Sequence, residues 1–133
     1  MIKNSYSFWG YLRLAIFVIR TKFISSKARI IRFPIEIRGK RFIDFGSRLT
    51  TGKGCRLEVF STKEKKLFFG NDVQINDYVH ISVMSSVSIG DNVLMASHIY
   101  IADNSHGVYG GGAQSSPDIP PIMRDYKIAP ISI

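Results

Sequence analysis

Cysteine is scarce in this sequence, with Cys55 the single example among 133 residues. One thiol cannot form an internal disulfide, so a disulfide-stapled scaffold is excluded, as is a zinc module built on several cysteines. The default expectation is therefore a reducing, cytoplasmic compartment. A disordered chain is excluded as well, because 45% of the residues are hydrophobic and only 21% are charged. The length is sufficient for one modest domain with a buried core.

The sequence also lacks a long uncharged apolar run. Its most apolar stretch, from Tyr6 to Ile24, is interrupted by Arg13, Arg20 and Lys22. The longest uncharged run after Arg13 extends only from Leu14 to Ile19, well short of the ~20 residues that a membrane span needs. No small-residue cleavage site of a secretory signal follows the stretch. We therefore expect neither a transmembrane helix nor a signal peptide.

The same stretch predicts an amphipathic helix within an N-terminal segment of residues 1–27. Trp9, Leu12, Ile16 and Ile19 recur at spacings of three and four, and basic residues follow them. Two interpretations of this pattern remain open. The helix lies in the interface of an anionic membrane, or it packs across one end of the domain.

Acidic residues are scarce in the first half of the chain. Residues 1–66 contain 16 Lys and Arg against 4 Asp and Glu, whereas residues 67–133 contain 2 against 6, so the net charges are +12 and −4. A basic half of this kind indicates an anionic partner, either nucleic acid or a membrane surface. The basic half has no nucleic-acid motif, and its aromatic residues cluster in the predicted helix. We therefore expect no nucleic-acid partner and favour peripheral contact with a membrane.

Beyond Ala28 the sequence contains a repeat of period six. Large lead residues recur every six positions in three sets of three hexads, which begin at Phe45, Phe69 and Ile89. A smaller residue follows each lead residue four positions later, and Gly, Asn and Asp occupy the turns. This period predicts an all-β fold, a triangular parallel β-helix in which three hexads close one coil. An antiparallel sandwich alternates with period two and has no reason to keep this phase.

The spacing between the three sets predicts where the coil departs from regularity. From Phe45 to Phe69 is 24 residues, which places an external charged loop at Thr62 to Leu67. From Phe69 to Ile89 is 20 residues, which places a bulge around Ser86 to Ser88. The phase is lost over residues 107–130, which predicts a protruding loop, and resumes in the final residues IAPISI. The predicted β-helix therefore covers residues 28–133.

The segment VSIGDNVLMASHIYIADNSHG, with its repeated (Ile/Val)-Gly-x-x-Val pattern, resembles the hexapeptide-repeat acyltransferases. Among them it is most similar to the sugar O-acetyltransferases of bacterial lipopolysaccharide and O-antigen synthesis. The resemblance implies a left-handed β-helix, usually a homotrimer, with acetyl-CoA as the acyl donor between subunits. It also implies transfer of the acetyl group to a hydroxyl of a saccharide acceptor. The basic N-terminal segment fits a lipid-linked acceptor at the cytoplasmic face of the membrane.

The resemblance also assigns site residues. His106, in ADNSHG, matches the catalytic histidine, and Asn76, in INDYVH, matches an acceptor-binding asparagine. Asp103 precedes His106 and would orient its imidazole or contact the acceptor. A histidine is a suitable general base for a sugar hydroxyl, and an amide both donates and accepts hydrogen bonds. Without the resemblance, His106 is an ordinary polar-loop histidine and Asn76 an ordinary turn asparagine.

The remaining histidines do not predict a metal site. In a coil of 20 residues, His80 stacks on Tyr100 and His98 stacks on Tyr78, so the histidines do not form one stacked set of ligands. Cys55 falls at the small inward position of its hexad, which predicts burial. We therefore expect no metal cofactor.

The sequence stops at Ile133, where the proteins it resembles continue with further coils and a cap. An uncovered coil leaves unpaired strand edges and an apolar end, which solenoids normally cap. We therefore expect the chain to be the N-terminal part of such an acetyltransferase. The alternative is a catalytically inactive scaffold subunit of a β-helix trimer.

Overall fold

A computed structural model describes residues 5–133, and the first four residues of the predicted N-terminal segment lie outside this range. One helix, α1 (Phe8–Ile24), precedes a coil with three parallel sheets as its faces. Face 1 contains β1 (Ile35–Arg38), β4 (Cys55–Val59), β7 (His80–Val83) and β10 (Tyr100–Ala102). Face 2 contains β2 (Ile43–Asp44), β5 (Leu67–Phe69), β8 (Val87–Ile89) and β13 (Ile131–Ser132). Face 3 contains β3 (Thr50–Thr51), β6 (Gln74–Ile75) and β9 (Leu94–Met95).

The chain passes from face 1 to face 2 to face 3 and back to face 1, which makes a parallel β-solenoid of about three turns. The prediction of a parallel β-helix preceded by a helix is therefore confirmed. The solenoid has three corners, and two of them contain the predicted site residues. The His106 corner joins face 1 to face 2 and contains residues 39–42, 60–66, 84–86 and 103–130. The Asn76 corner joins face 3 to face 1 and contains residues 52–54, 76–79 and 96–99.

The hexad positions form the core, as the period predicts. Leu57 pairs with Ile81, and Ile81 pairs with Ile101, so lead residues stack on one another from coil to coil. Burial of these stacked apolar side chains stabilises the coil by about 25 cal/mol for each Å² removed from water. The buried lead and following residues include Phe45, Leu49, Cys55, Leu57, Phe69, Val73, Ile75, Val79, Ile81, Ile89 and Met95.

The irregular segments are shifted from their predicted places. The charged loop is present, but it ends before Leu67, which begins β5 and is fully buried. The bulge predicted around Ser86 to Ser88 lies two residues earlier, because Val87 already belongs to β8 and is buried. The irregular residues are 84–86 instead, since the Asp103 carboxylate accepts hydrogen bonds from the backbone N–H groups of Met84, at 2.8 Å, and Ser85, at 2.7 Å.

Helix α1 has two apolar faces. Its inner face packs on the first coil, where the Thr21 hydroxyl is buried and accepts a hydrogen bond of 2.7 Å from the backbone N–H of Ile31. The inner face consists of Gly10, Leu14, Phe17, Thr21 and Ile24, at spacings of three and four. The predicted apolar stripe of Trp9, Leu12, Ile16 and Ile19 lies on the outer face and is exposed. The helix therefore packs against the domain and still presents an apolar face outward.

A long excursion leaves the coil at the His106 corner. Strand β11 (Asn104–His106) pairs antiparallel with β12 (Tyr126–Ile128), so the excursion begins after Ala102, earlier than residue 107. Ser105 follows the lead residue Ile101 by four positions, which is the place of the smaller residue of a hexad, but it lies in the hairpin and donates a 2.9 Å hydrogen bond to the Gly107 carbonyl. The chain then rejoins face 2 when Ile131 pairs with Val87, which confirms that the phase resumes at the end.

Candidate functional site

His106 ends strand β11, at the base of the protruding loop. Its ring lies 4.6 Å from the ring of Tyr126, its partner across the hairpin, and the Tyr109 hydroxyl donates a 3.0 Å hydrogen bond to the His106 carbonyl. The Nδ1 atom of His106 is buried and has no hydrogen-bond partner among residues 5–133. The Nε2 atom has no hydrogen-bond partner among these residues either and, unlike Nδ1, is not fully buried, so Nε2 is the ring nitrogen that a ligand can reach.

The turn after His106 depends on Gly107. This residue has φ +100°, a backbone conformation that side chains rarely adopt. A Cβ at this position would lie 2.7 Å from Ser115 Oγ and 2.9 Å from Arg124 Cδ, so the loop packs directly on the glycine. Gly107 therefore allows the loop to fold back beside the histidine.

Asp103 performs a structural task at the same corner. Its side chain is buried, and besides the two N–H groups of residues 84 and 85 it accepts a 3.1 Å hydrogen bond from Asn104 Nδ2. No hydrogen bond joins Asp103 to His106 in the described part of the chain. The carboxylate thus ties the start of the loop to the preceding coil.

Asn76 follows β6 and lies on a different corner from His106. Its side chain is exposed and lines a cleft of about 410 Å³ between α1 and the Asn76 corner. Leu14, Phe17 and Phe33 contribute apolar surface to this cleft, and Lys53 and other polar residues line it as well. Within residues 5–133 the Asn76 side chain has no hydrogen-bond partner, so both its donor and its acceptor groups face the cleft unengaged.

The structure does not bring Asn76 and His106 together within one chain. Asn76 lies where the chain enters face 1, and His106 lies beyond the point where a later coil leaves it. The cleft that contains Asn76 has no lining residue from the protruding loop. A site containing both residues therefore requires a second copy of the chain or a rearrangement.

A second polar cluster, which the sequence did not reveal, lies on face 1. Glu58 is buried and contacts Arg38, Arg56 and His80, with 2.8 Å between Glu58 Oε2 and His80 Nε2. Burial alone would raise the pKa of Glu58, but the hydrogen bonds from His80 and Arg56 outweigh it and lower the pKa. The sequence feature that could have revealed this cluster is the 24-residue spacing between β4 and β7, which places Arg56 beside His80 and Glu58 beside Ser82.

The predicted aromatic stacking of the other histidines is confirmed. The rings of His80 and Tyr100 lie 4.9 Å apart, and those of His98 and Tyr78 lie 5.1 Å apart. Among residues 5–133, no group of three or more His, Cys, Asp or Glu side chains could hold a metal ion. Cys55 is buried as expected, and this burial raises the pKa of its thiol.

Comparison with known proteins decides the family. The chain is 41% identical over 133 residues to the protein named "Putative lipopolysaccharide biosynthesis O-acetyl transferase WbbJ" of Escherichia coli strain K12. The chain belongs to this family of lipopolysaccharide O-acetyltransferases. The match covers 99% of the chain and 67% of the length of that relative. No protein-family profile and no solved structure matches the chain.

This match confirms the resemblance to the lipopolysaccharide O-acetyltransferases on which the hexad motif was interpreted. The matched region includes His106, Asn76 and the whole coil, because the alignment spans nearly the entire chain. Among the described helices of the O-acetyltransferase, none has the length and apolar character to cross a bilayer.

Proposed function

We propose that this chain transfers an acetyl group from acetyl-CoA to a hydroxyl of a saccharide used in lipopolysaccharide synthesis. The 41% identity to a relative named as an O-acetyltransferase supports the reaction class. His106 carries the mechanism, because its accessible Nε2 has no hydrogen-bond partner among residues 5–133 and the residue lies at the base of the protruding loop.

In the proposed reaction the His106 imidazole takes the proton of the sugar hydroxyl as its oxygen attacks the thioester carbonyl carbon. The C–O bond of the ester forms, and the C–S bond of the thioester breaks. The sulfur of coenzyme A leaves with the electron pair and accepts a proton. The thioester is already activated, so no covalent enzyme intermediate is needed.

We further propose that the working site forms between neighbouring copies in a homotrimer. The cleft of Asn76 and the imidazole of His106 occupy different corners of one coil. A threefold arrangement places one corner of each copy beside a different corner of its neighbour. Asn76 of one copy would then bind the acceptor beside His106 of the next.

The direct test is the reaction itself. Purified chain, acetyl-CoA and a lipid-linked saccharide are expected to release coenzyme A and give a base-labile O-acetyl ester, detected by NMR. Acetylation of an amine in place of a hydroxyl would contradict the assignment. Release of coenzyme A at the rate of buffer alone would favour the inactive scaffold subunit.

The outer face of α1 supports a peripheral position at the cytoplasmic face of the membrane. Trp9 and Phe23 are 73% and 80% exposed, and no acidic residue occurs in the helix. Arg13 and Arg20 flank one side of this face, and Lys22 flanks the other, as their positions around the helix require. An exposed apolar patch with flanking cations is typical of a helix in an anionic bilayer interface.

Vesicle binding tests this position, because Trp9 is the one tryptophan of the chain. Vesicles with phosphatidylglycerol are expected to blue-shift its emission and to sediment the protein, whereas pure phosphatidylcholine binds it weakly. Replacing Ile16 and Ile19 by serine should lower the partition coefficient at least about tenfold, since each buried side chain contributes about 1.5–3 kcal/mol.

The matched control replaces Ile122 and Met123 by serine, since both are exposed on the protruding loop. This control is expected to bind vesicles like the unmodified chain. An equal loss of binding in both variants, or no blue shift of Trp9, would contradict membrane contact through α1.

A further inference from the structure

The cleft that contains Asn76 carries an excess of positive charge. Arg13 reaches it from α1, Arg32 from the segment before β1, and Lys53 from the Asn76 corner. Asp77 is the one carboxylate among its described lining residues, and its Oδ1 already accepts a 2.9 Å hydrogen bond from the backbone N–H of Lys53. The cleft therefore contains three cations, each from a different segment of the chain, and one carboxylate that already accepts a hydrogen bond.

Among residues 5–133, the three cations of the cleft have no carboxylate partner, whereas several basic residues elsewhere on the coil have one. Asp72 pairs with both Arg29 and Arg48, and other carboxylates pair with Arg38, Arg56 and Lys65. In the described part of the chain, Arg13, Arg32 and Lys53 form no ion pair with a carboxylate. Unpaired cations around one cleft favour an anionic ligand there.

Arg32 is held in position at the cleft. Its Nη1 donates a 2.9 Å hydrogen bond to the Thr51 carbonyl, and its backbone N–H donates one of 3.1 Å to the Thr51 hydroxyl. These bonds fix the guanidinium and leave its other N–H groups for a ligand. A guanidinium in a fixed position matches the oxygens of a phosphate well.

Aromatic residues form another part of the cleft wall. The rings of Phe17 and Phe33 lie 5.9 Å apart, and the Arg20 guanidinium lies 3.7 Å from the ring of Phe33. An aromatic wall suits the apolar face of a sugar ring, and the free amide of Asn76 suits its hydroxyls. The cleft thus combines a surface for a sugar with a surface for an anion.

We propose that this cleft binds a phosphorylated saccharide, with Asn76 and the aromatic wall on the sugar and Arg13, Arg32 and Lys53 on the phosphate. This inference rests on the proposed function, because it takes the acceptor as the ligand of Asn76. A phosphate fits better than a carboxylate, since its oxygens point in three directions and the cations approach from three segments. Arg13 also borders the outer face of α1, which favours a phosphate attached to a membrane lipid.

Calorimetric titration with glucose 1-phosphate, glucose and inorganic phosphate tests the site at low salt. Glucose 1-phosphate is expected to bind at least about tenfold more tightly than glucose, because glucose has no phosphate to accept charge-assisted hydrogen bonds from the three cations. Arg13→Gln and Lys53→Gln should each lower the affinity for glucose 1-phosphate at least about tenfold. The matched control, Lys63→Gln in the charged loop of the other corner, should leave it unchanged. Equal binding of glucose and glucose 1-phosphate, or equal losses in Lys53→Gln and Lys63→Gln, would overturn the proposal.

The source of the phosphate is distinguished by two further ligands, a short prenyl diphosphate glucose and UDP-glucose. Tighter binding of the prenyl compound supports a lipid-linked acceptor. Tighter binding of UDP-glucose keeps the phosphate site but overturns the lipid link. Acetyl transfer to a neutral saccharide without any phosphate preference would overturn this inference alone, whereas phosphate binding without any transfer would overturn the proposed function and leave the phosphate site.

Discussion

Replacing His106 by alanine is expected to lower kcat for acetyl transfer at least about 100-fold, because removal of a general base typically costs 10²- to 10⁴-fold. The KM for the saccharide should change little, since Asn76 and its cleft lie on another corner of the coil. Initial rates of coenzyme A release at saturating acetyl-CoA provide the measurement. His98→Ala is the matched control, because His98 is exposed and should keep its kcat.

Chemical rescue separates a missing base from a damaged loop. Free imidazole in the buffer should restore part of the rate of His106→Ala only when the missing group is a proton acceptor. Circular dichroism should show an unchanged coil, because His106 lies on the excursion and not in the core. An unchanged kcat in His106→Ala would remove this residue from the mechanism.

The coil could be predicted from the sequence because its core depends on local spacing. Ile75 and Ile81 are six residues apart, and each stacks on the residue one coil length away, so a period read along the chain also describes the packing. The same spacing places His80 beside Tyr100 and excludes a stacked histidine set. Repetition converts long-range contacts into a local pattern, which is why the prediction succeeded.

The corners could not be predicted in the same way, because their contacts do not repeat. The Asp103 carboxylate binds the backbone of Met84 and Ser85, and no spacing rule assigns a side chain to such a target. Strand β11 pairs with β12 across the loop between them, so the excursion begins after Ala102 and not at the predicted residue 107. The predicted loop boundary therefore followed the loss of hexad phase and missed the hairpin.

The charged cleft also escaped prediction, since it depends on how α1 docks. Arg13 in the sequence only interrupts an apolar stretch, and its position beside Lys53 follows from the packing of the inner helix face. The two interpretations of the helix, in a membrane interface or packed on the domain, stayed open for the same reason. The pattern of apolar residues revealed one stripe, whereas the helix has two apolar faces, one of which packs on the coil.

The proposed site between two copies makes a second prediction of large effect. Asn76→Ala and His106→Ala should each be nearly inactive as pure oligomers, because every site then lacks one of its two residues. When the two variants are unfolded and refolded together in equal amounts, about a quarter of the sites should receive an intact Asn76 from one copy and an intact His106 from its neighbour. Activity should therefore appear on mixing.

Two differently tagged variants allow the mixed oligomer to be purified, and light scattering on the same sample measures its mass. Refolding the unmodified chain with the Asn76→Ala, His106→Ala double variant serves as the control. It should keep about a quarter of full activity when sites span two copies, and about half when each chain has its own site. The predicted result is about a quarter of full activity in the unfractionated mixture of the two single variants, and about a third in the purified mixed trimers. Mixed trimers that stay as inactive as the separate variants would contradict a shared site.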